Sequence, residues 1–172
     1  MTKKLGFTLI ELTIVIALTS GLLLVGVAVI ANIYQTNNKT RSQMEVRQNL
    51  QSVLDTMARE IRQTKYVKYS TIGNIQLYNS YDSCTNNNYI SQYDKDTAVT
   101  PVPLRQITNG VTQNLTSVKI NISNLTFAGV TNTCSAPDSI TINITANYHT
   151  LATRSDFTDS ITISETVALR KY

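Results

Sequence analysis

Glu11 is the only ionisable side chain in the apolar stretch that runs from Phe7 to Ala31. An acidic side chain on an apolar helix costs about 2.5–3.5 kcal/mol at the middle of a bilayer, and less near an interface. That cost falls when the carboxylate meets a counter-charge. The residue therefore predicts charge pairing with a specific partner.

The element that must carry Glu11 is a helix of membrane length. At 1.5 Å per residue the segment from Phe7 to Ala31 would extend about 37 Å, enough to span a hydrocarbon core of about 30 Å with some tilt. Lys3 and Lys4 precede it. Because positive residues tend to stay in the cytoplasm, we expect a cytoplasmic N-terminus and an extracytoplasmic remainder.

The N-terminal motif consists of Lys3-Lys4-Leu5-Gly6, then Phe7, then Glu11 inside the apolar run. Over residues 3–31 the chain resembles type IV prepilins and the pseudopilins of type II secretion and competence systems. The resemblance implies cleavage between Gly6 and Phe7 by an inner-membrane prepilin peptidase, followed by N-methylation of Phe7. It also implies an α+β fold in which one long N-terminal helix packs against an antiparallel β-sheet.

Cleavage after Gly6 would create a new amine at Phe7. Our hypothesis is that Glu11 of one subunit pairs with the Phe7 amine of a neighbouring subunit when the helices bundle in a filament. Such a pair neutralises a desolvated carboxylate, and it sets the inter-subunit register because only one stagger brings the charges together.

The resemblance implies a structural subunit of a type IV pilus or pseudopilus. Many major pilins have a proline within the apolar helix, whereas the first proline here is Pro101. Flexibility would then come from Gly21 and Gly26. The segments Leu50–Val67 and Ile161–Arg170 also resemble minor pilins and minor pseudopilins. We therefore predict a minor pilin, with a type II secretion pseudopilin and a DNA-binding competence pilin as alternatives.

The predicted partners are the prepilin peptidase, other pilin or pseudopilin subunits, the inner membrane and the pilus assembly machinery. The precursor would be a single-pass protein of the inner membrane, and the product a cell-surface or periplasmic filament. Two other interpretations stay open: a secretory signal peptide ending near Ala31, and an ordinary membrane anchor in which Glu11 is incidental. The first residue of the purified protein separates them, because it would be Phe7, Asn32 or Met1.

Charge is uneven along a chain of formal net charge +4. Basic residues dominate between positions 39 and 68, against Glu45, Asp55 and Glu60; they are Lys39, Arg41, Arg47, Arg59, Arg62, Lys65 and Lys68. This segment is a candidate surface for acidic partners, including DNA or anionic lipid. A solvated helix face that pairs with neighbouring subunits is the alternative.

Cys84 and Cys134 are the two cysteines of the chain. Outside the cytoplasm disulfides persist, so we predict that the two are paired, with free thiols as the alternative. A bridge would close a loop of about 51 residues, for which the chain-entropy model gives about 4 kcal/mol.

Motifs for catalysis, for a cofactor or for a metal are missing from the sequence, which has no phosphate-binding loop, no dinucleotide fingerprint and no zinc-protease motif. His149 stands alone in a strand pattern. Asp94 and Asp96 are candidate calcium ligands, but an acidic pair in a polar loop is usually solvated. We therefore expect no enzyme, no cofactor and no metal site.

The resemblance implies a leader (1–6). The periodicity of the remaining chain predicts a membrane or filament-core helix (7–31), an amphipathic helix (32–69) and an antiparallel sheet domain (70–172). Apolar residues recur at three- and four-residue spacing from Val46 to Ile61. Because residues 32–72 contain no proline or glycine, we expect the helix to continue to about Tyr66–Tyr69.

Beyond residue 71 the apolar period becomes two, which predicts strands at 75–77, 118–122, 140–144 and 161–163. Asn109-Gly110 predicts a two-residue hairpin turn. Residues 79–103 are expected to be irregular. The whole predicts a sheet of four to six strands with one apolar face, packed on the second half of the helix.

Overall fold

A computed structural model describes residues 8–71, 73–149 and 159–170 of the chain. Over these residues it shows an α+β arrangement with a long N-terminal helix, a short second helix and eight strands. The chain divides into two compact units, Met1–Thr40 and Arg41–Tyr172. The predicted fold class is confirmed.

Helix α1 spans Leu9–Gln63 and supplies residues to both units. In the second unit its buried positions form one stripe, as the sequence spacing predicts: Val46, Leu50, Val53, Leu54, Met57, Ala58 and Ile61. This stripe packs into the hydrophobic core together with residues from both sheets. The amphipathic face therefore binds the sheet domain, as expected.

The end of α1 lies earlier than predicted, at Gln63, and the residues assigned to its last turn form strand β1 (Tyr66–Thr71). The Thr64 side chain donates to the Ile61 carbonyl at 2.9 Å, and the Lys65 N–H donates to the Tyr78 carbonyl at 3.2 Å. From Lys65 onward the backbone is paired with a strand instead of the preceding turn. Tyrosine and valine favour strands. The spacing of residues 64–69 is also compatible with a helix, so periodicity alone does not decide between a strand and a last helical turn.

Two antiparallel sheets take the place of the single predicted sheet. The first contains β1, β2 (Asn74–Tyr78), β3 (Ser91–Lys95), β4 (Leu104–Thr108) and β5 (Val111–Asn114), in that spatial order. The second contains β6 (Ile120–Ala128), β7 (Ser139–Tyr148) and β8 (Ser160–Ala168). The predicted strands at 75–77, 118–122, 140–144 and 161–163 correspond to β2, β6, β7 and β8.

The second sheet has the predicted division into an apolar and a wet face. On β7, Ile140, Ile142 and Ile144 are fully buried. Thr141 and Thr145 lie on the other face of β7 and contact threonines of β8. Thr141 and Thr166 are hydrogen-bonded at 2.9 Å, and so are Thr145 and Thr162. The period of two thus places isoleucine in the core and threonine at the outer surface.

The hairpin prediction is confirmed, because β4 and β5 are joined by Asn109 and Gly110 with φ angles of 53° and 78°. Both angles lie in the left-handed region that Asn-Gly turns adopt. The prediction of an irregular 79–103 segment is wrong in part. Helix α2 (Tyr81–Thr85) and strand β3 lie within it, and Ser80 caps α2 by accepting from the Ser83 N–H at 3.1 Å.

Candidate functional site

Residues 9–31 of α1 present an apolar surface on every side of the helix. Large aliphatic side chains at consecutive positions are exposed, for example Ile14 (54%), Val15 (49%) and Ile16 (57%). Exposure continues through Leu22, Leu23, Leu24 and Val25 to Ile33. A helix that is apolar all round belongs in lipid or in a bundle of other helices. By length and composition, α1 can cross a membrane once.

Hydroxyl groups in this segment are satisfied within the helix. Thr13 donates to the Ile10 carbonyl at 2.8 Å, Thr19 donates to the Val15 carbonyl at 2.9 Å, and Ser20 donates to the Ile16 carbonyl. Hydroxyls bonded to a preceding carbonyl do not need water. The surface that the helix offers to lipid or to another helix is therefore apolar apart from Glu11.

Glu11 lies in the first turn of α1, and its side chain is exposed. Its backbone N–H donates to the Thr8 Oγ1 atom at 3.4 Å, and the Leu12 N–H donates to the Thr8 carbonyl at 3.2 Å. Threonine at the N-cap with glutamate three residues later is the capping-box pattern. The sequence analysis missed this role, although Thr-x-x-Glu before an apolar run is its signal.

The predicted partner of Glu11 is the Phe7 amine, and Gly6 and Phe7 lie outside the described residues, as do Lys3 and Lys4. The cleavage, methylation and register hypotheses therefore stay predictions. No ion pair between described residues involves Glu11.

The basic segment of α1 is partly neutralised by the sheet domain. Arg62 pairs with Glu165 on β8 at 3.3 Å. Lys68, the last basic residue of the predicted basic segment, lies on β1 and donates to the uncharged Asn87 side chain at 2.7 Å. Arg59 and Arg62 nevertheless line a cavity of about 400 Å³ with Arg170, which follows β8. The structure thus brings three arginines together. Arg170 lies outside α1, so the charge pattern of the helix could not predict that it joins Arg59 and Arg62.

The candidate calcium ligands are bound to an arginine. Arg105 on β4 contacts Asp94 on β3 and the adjacent Asp96, with nitrogen–oxygen distances of 2.5 and 2.7 Å. The hydrogen bond to Asp94, above all, raises the pKa of Arg105. Through Arg105, the two carboxylates therefore link the C-terminal end of β3 to β4.

Cys84 and Cys134 form a disulfide with a Cα–Cα distance of 5.9 Å. The bridge ties α2 to a segment that pairs with β1, where Val67 and Ser135 exchange backbone hydrogen bonds at 2.8 and 3.1 Å. Cysteine pairing is as predicted. The bridge therefore holds α2 and the segment around Ser135 together at the edge of the first sheet.

A polar cluster between α1 and the first sheet escaped sequence analysis. Gln106 on β4 donates to the Glu60 Oε1 atom at 2.7 Å and to the Ser91 Oγ atom at 3.0 Å. Tyr93 on β3 is fully buried, and its hydroxyl is next to Glu60 and Ser91 but makes no hydrogen bond. Burial, followed by the effect of Glu60, raises the pKa of Tyr93 well above 10.

Comparison of the chain with protein-family models, with curated proteins and with solved structures finds no match.

Proposed function

We propose that this chain is a structural subunit of a type IV pilus or pseudopilus, and a minor one. It is made as a membrane precursor, is cleaved between Gly6 and Phe7 by a prepilin peptidase, and enters the filament through its apolar helix. The sheet domain then forms the outer surface that selects neighbouring subunits.

The observation that carries this proposal is the apolar surface around the first half of α1 with its single acid. A contiguous exposed surface of this kind exceeds what a monomer in water tolerates. It needs lipid before assembly and other helices afterwards. A filament whose subunits are extracted from a membrane supplies both environments in turn.

Glu11 supplies the specificity that apolar contacts lack. Leucine, isoleucine and valine pack in many registers at similar free energy, whereas a desolvated carboxylate is stabilised only where it meets a positive charge. In the proposed filament this charge is the N-terminal amine of Phe7 on an adjacent subunit. The pair selects one stagger between neighbouring helices.

The cap that Thr8 provides next to Glu11 gives the experiment its design. Glutamine serves a capping box as glutamate does, so Glu11→Gln removes the charge and keeps the cap. Glu11→Ala removes the whole polar side chain, and Thr8→Ala removes the observed cap alone. Asp55→Asn, at an exposed acid in the sheet-domain part of α1, is the matched control.

We expect both Glu11 variants to be cleaved at Gly6–Phe7 and to accumulate in the membrane without entering sheared filaments. Thr8→Ala and Asp55→Asn should assemble. N-terminal sequencing and immunoblotting of the filament fraction measure the two steps. Normal assembly of Glu11→Gln would remove the charge pair from the proposal, and failure of Thr8→Ala would show that the helix cap is needed instead.

A second candidate function is capture of extracellular DNA by the same filament. The cavity lined by Arg59, Arg62 and Arg170 favours it, because arginine forms paired hydrogen bonds to phosphate. The full-length chain in detergent should then retard DNA in a salt-dependent manner. Arg59→Gln with Arg62→Gln should weaken this effect, while Lys119→Gln, at a lysine paired with Glu45, should not.

The pseudopilus alternative predicts a different cellular defect. Loss of a type II secretion subunit blocks export of secreted enzymes, whereas loss of a pilus subunit removes surface filaments. Scoring both phenotypes in one deletion strain separates the two. Neighbouring genes for a prepilin peptidase, an assembly ATPase and sister subunits would identify the system.

A further inference from the structure

Strand β8 (Ser160–Ala168) is an edge strand. The spatial order of the second sheet is β6, β7, β8, so β8 pairs with β7 on one side only. No backbone hydrogen bond joins its other side to any segment that the structure describes. An edge of this kind presents a row of unpaired N–H and C=O groups, to which a further strand can add.

The strand register determines which backbone groups of β8 face the open side. Just beyond the strand, the Leu169 N–H donates to the Asp138 carbonyl at 3.1 Å, and this pair continues the β7–β8 register. Hydrogen-bonded and non-hydrogen-bonded pairs alternate along antiparallel strands. The odd-numbered residues of β8 therefore bond to β7, whereas Thr162, Ser164 and Thr166 direct their N–H and C=O groups to the open side.

The features that usually block strand addition are missing from β8. It contains no proline and no lysine, and its pairing with β7 has no bulge, whereas the pairing of β6 with β7 has one. Its single charge, Glu165, pairs with Arg62 at 3.3 Å. Ile161 and Ile163 are only half-buried. A further strand would therefore cover apolar surface as well as bind backbone groups.

A second copy of β8 matches the strand that β8 already binds. Residues 139–146 of β7 read SITINITA, and residues 160–167 of β8 read SITISETV. The two segments share Ser, Ile, Thr and Ile at the first four positions and Thr at the seventh. An antiparallel pair of β8 strands centred on Ser164 therefore gives each β8 residue a partner equivalent in position to its partner on β7.

The side-chain pairs between β7 and β8 recur in this arrangement. Thr162 is hydrogen-bonded to Thr145 of β7 at 2.9 Å, and it would face Thr166 of the second copy. Glu165 is opposite Ile142 of β7, and it would face Ile163 of the second copy. Cross-strand threonine pairs stabilise antiparallel sheets. The open side of β8 is thus self-complementary in side chains as well as in backbone groups.

We propose that β8 is a docking edge for β8 of a second copy of this chain. The two three-stranded sheets then form one antiparallel sheet of six strands. A single strand pair is a small interface, so we expect a weak contact with a dissociation constant on the order of 0.1–1 mM.

The pairing sets the two copies in opposite directions. Strand β8 and the adjoining part of α1 run the same way, since Gln43 contacts Asp159 just before the strand and Arg62 contacts Glu165 further along it. Copies inserted in one membrane, or packed in one filament, have these helices in the same direction. The contact would therefore join copies on different filaments. This location rests on the proposed function, whereas the strand pairing does not.

Amide hydrogen exchange tests the pairing in the full-length chain, labelled with ¹⁵N, in an uncharged maltoside detergent. By mass action, exchange at Thr162, Ser164 and Thr166 should be about two- to threefold slower at about 1 mM chain than at about 0.05 mM. The Ile163 and Glu165 amides, which bond to β7, should exchange at the same rate in both samples. Association through the apolar helix alone would not slow alternate amides of β8.

Two substitutions at the centre of the pair make the test specific. Ser164→Pro removes an outward N–H, and proline is tolerated where the N–H of an edge strand faces solvent. Ser164→Ala keeps this N–H. We expect the concentration dependence at Thr162 and Thr166 to be lost in the proline variant and kept in the alanine variant. Unchanged protection of Ile163 and Glu165 shows that β8 still pairs with β7.

A cysteine cross-link tests the register and does not depend on the proline variant. Ser164→Cys places two thiols opposite each other in a pair with a Cα–Cα distance of about 5.5 Å, which a disulfide can bridge. Asn124→Cys, at an equally exposed position on β6, is the matched control because β7 separates it from β8. Mild oxidation should give a covalent dimer of the Ser164→Cys variant in clear excess over the control.

Either of two results would overturn the proposal. One is exchange at Thr162, Ser164 and Thr166 that does not depend on chain concentration, and the other is equal cross-linking of the two cysteine variants. The filament proposal is unaffected by both results, because it depends on Glu11 and the apolar helix.

Discussion

The guanidinium of Arg105 holds the Asp94 carboxylate through two parallel hydrogen bonds, Nε to Oδ1 at 2.5 Å and Nη2 to Oδ2 at 3.1 Å. Its third contact, from Nη1 to Asp96 Oδ2, measures 2.7 Å. The Arg105 and Asp94 side chains are 27% and 12% exposed. The arrangement links β3 to β4 and places one positive charge between two carboxylates that would otherwise repel each other.

Arg105→Lys should lower the free energy of unfolding by about 1–3 kcal/mol, because a point charge cannot reproduce the paired geometry and leaves a carboxylate poorly satisfied. Far-UV circular dichroism of the full-length chain in detergent, followed through urea unfolding, measures the change. The chain has no tryptophan, so tyrosine fluorescence is the second probe.

Arg62→Gln is the control for this prediction. Arg62 is 56% exposed in its pair with Glu165, so its loss should cost less than about 1 kcal/mol. Equal losses in the two variants would contradict a special role for the geometry around Arg105.

Reduction of the Cys84–Cys134 bridge should destabilise the sheet domain. The cysteines are separated by 50 positions, and the chain-entropy model for such a loop gives about 4 kcal/mol. Urea unfolding with and without a phosphine reductant measures the difference. The double variant Cys84→Ser, Cys134→Ser should unfold at the same urea concentration as the reduced chain, and should not respond to the reductant.

Stability should fall at alkaline pH because of Tyr93. Burial raises its folded-state pKa above the ordinary value of 10.0, so the folded state holds the phenolic proton more tightly than the unfolded state does. The stabilisation is complete below pH 10 and is lost as the pH rises above that value, with a slope of up to about 1.4 kcal/mol per pH unit.

Tyr93→Phe should reduce this slope and leave stability near neutral pH unchanged or higher, since it removes a buried hydroxyl without a partner. A smaller decline should persist, because the pKa values of Tyr78 and Lys119 are also raised, by burial and by Glu45 respectively. Parallel pH profiles for the variant and the unaltered chain would contradict the assignment to Tyr93.

The apolar stripe of α1 should be the main attachment of this helix to the sheets. Leu50 is fully buried in the core, so Leu50→Ala should cost about 2–5 kcal/mol. The neighbouring Gln51 is exposed, and Gln51→Ala should change stability by less than about 0.5 kcal/mol. Urea unfolding compares the two, and a similar loss in both would contradict the packing of this stripe.

The sequence alone determined the features that depend on local spacing. Period-three and period-four apolar residues specified the buried side of α1, alternation specified the apolar face of β7, and Asn109-Gly110 specified a hairpin. Glu11 could also be recognised from the sequence, because an acid stands out against the apolar residues on both sides of it. These signals are local, so a reader of the sequence needs no tertiary contact to detect them.

Tertiary structure decided the rest. The end of α1 at Gln63 depends on Lys65 finding the Tyr78 carbonyl, and β3 exists because its polar residues pair with β2 and β4. The separation into two sheets and the meeting of Glu60, Tyr93 and Gln106 depend on contacts between distant segments. The spacing of polar residues along the chain does not indicate which of them will be in contact. Only the folded chain therefore shows which carboxylates pair with an arginine.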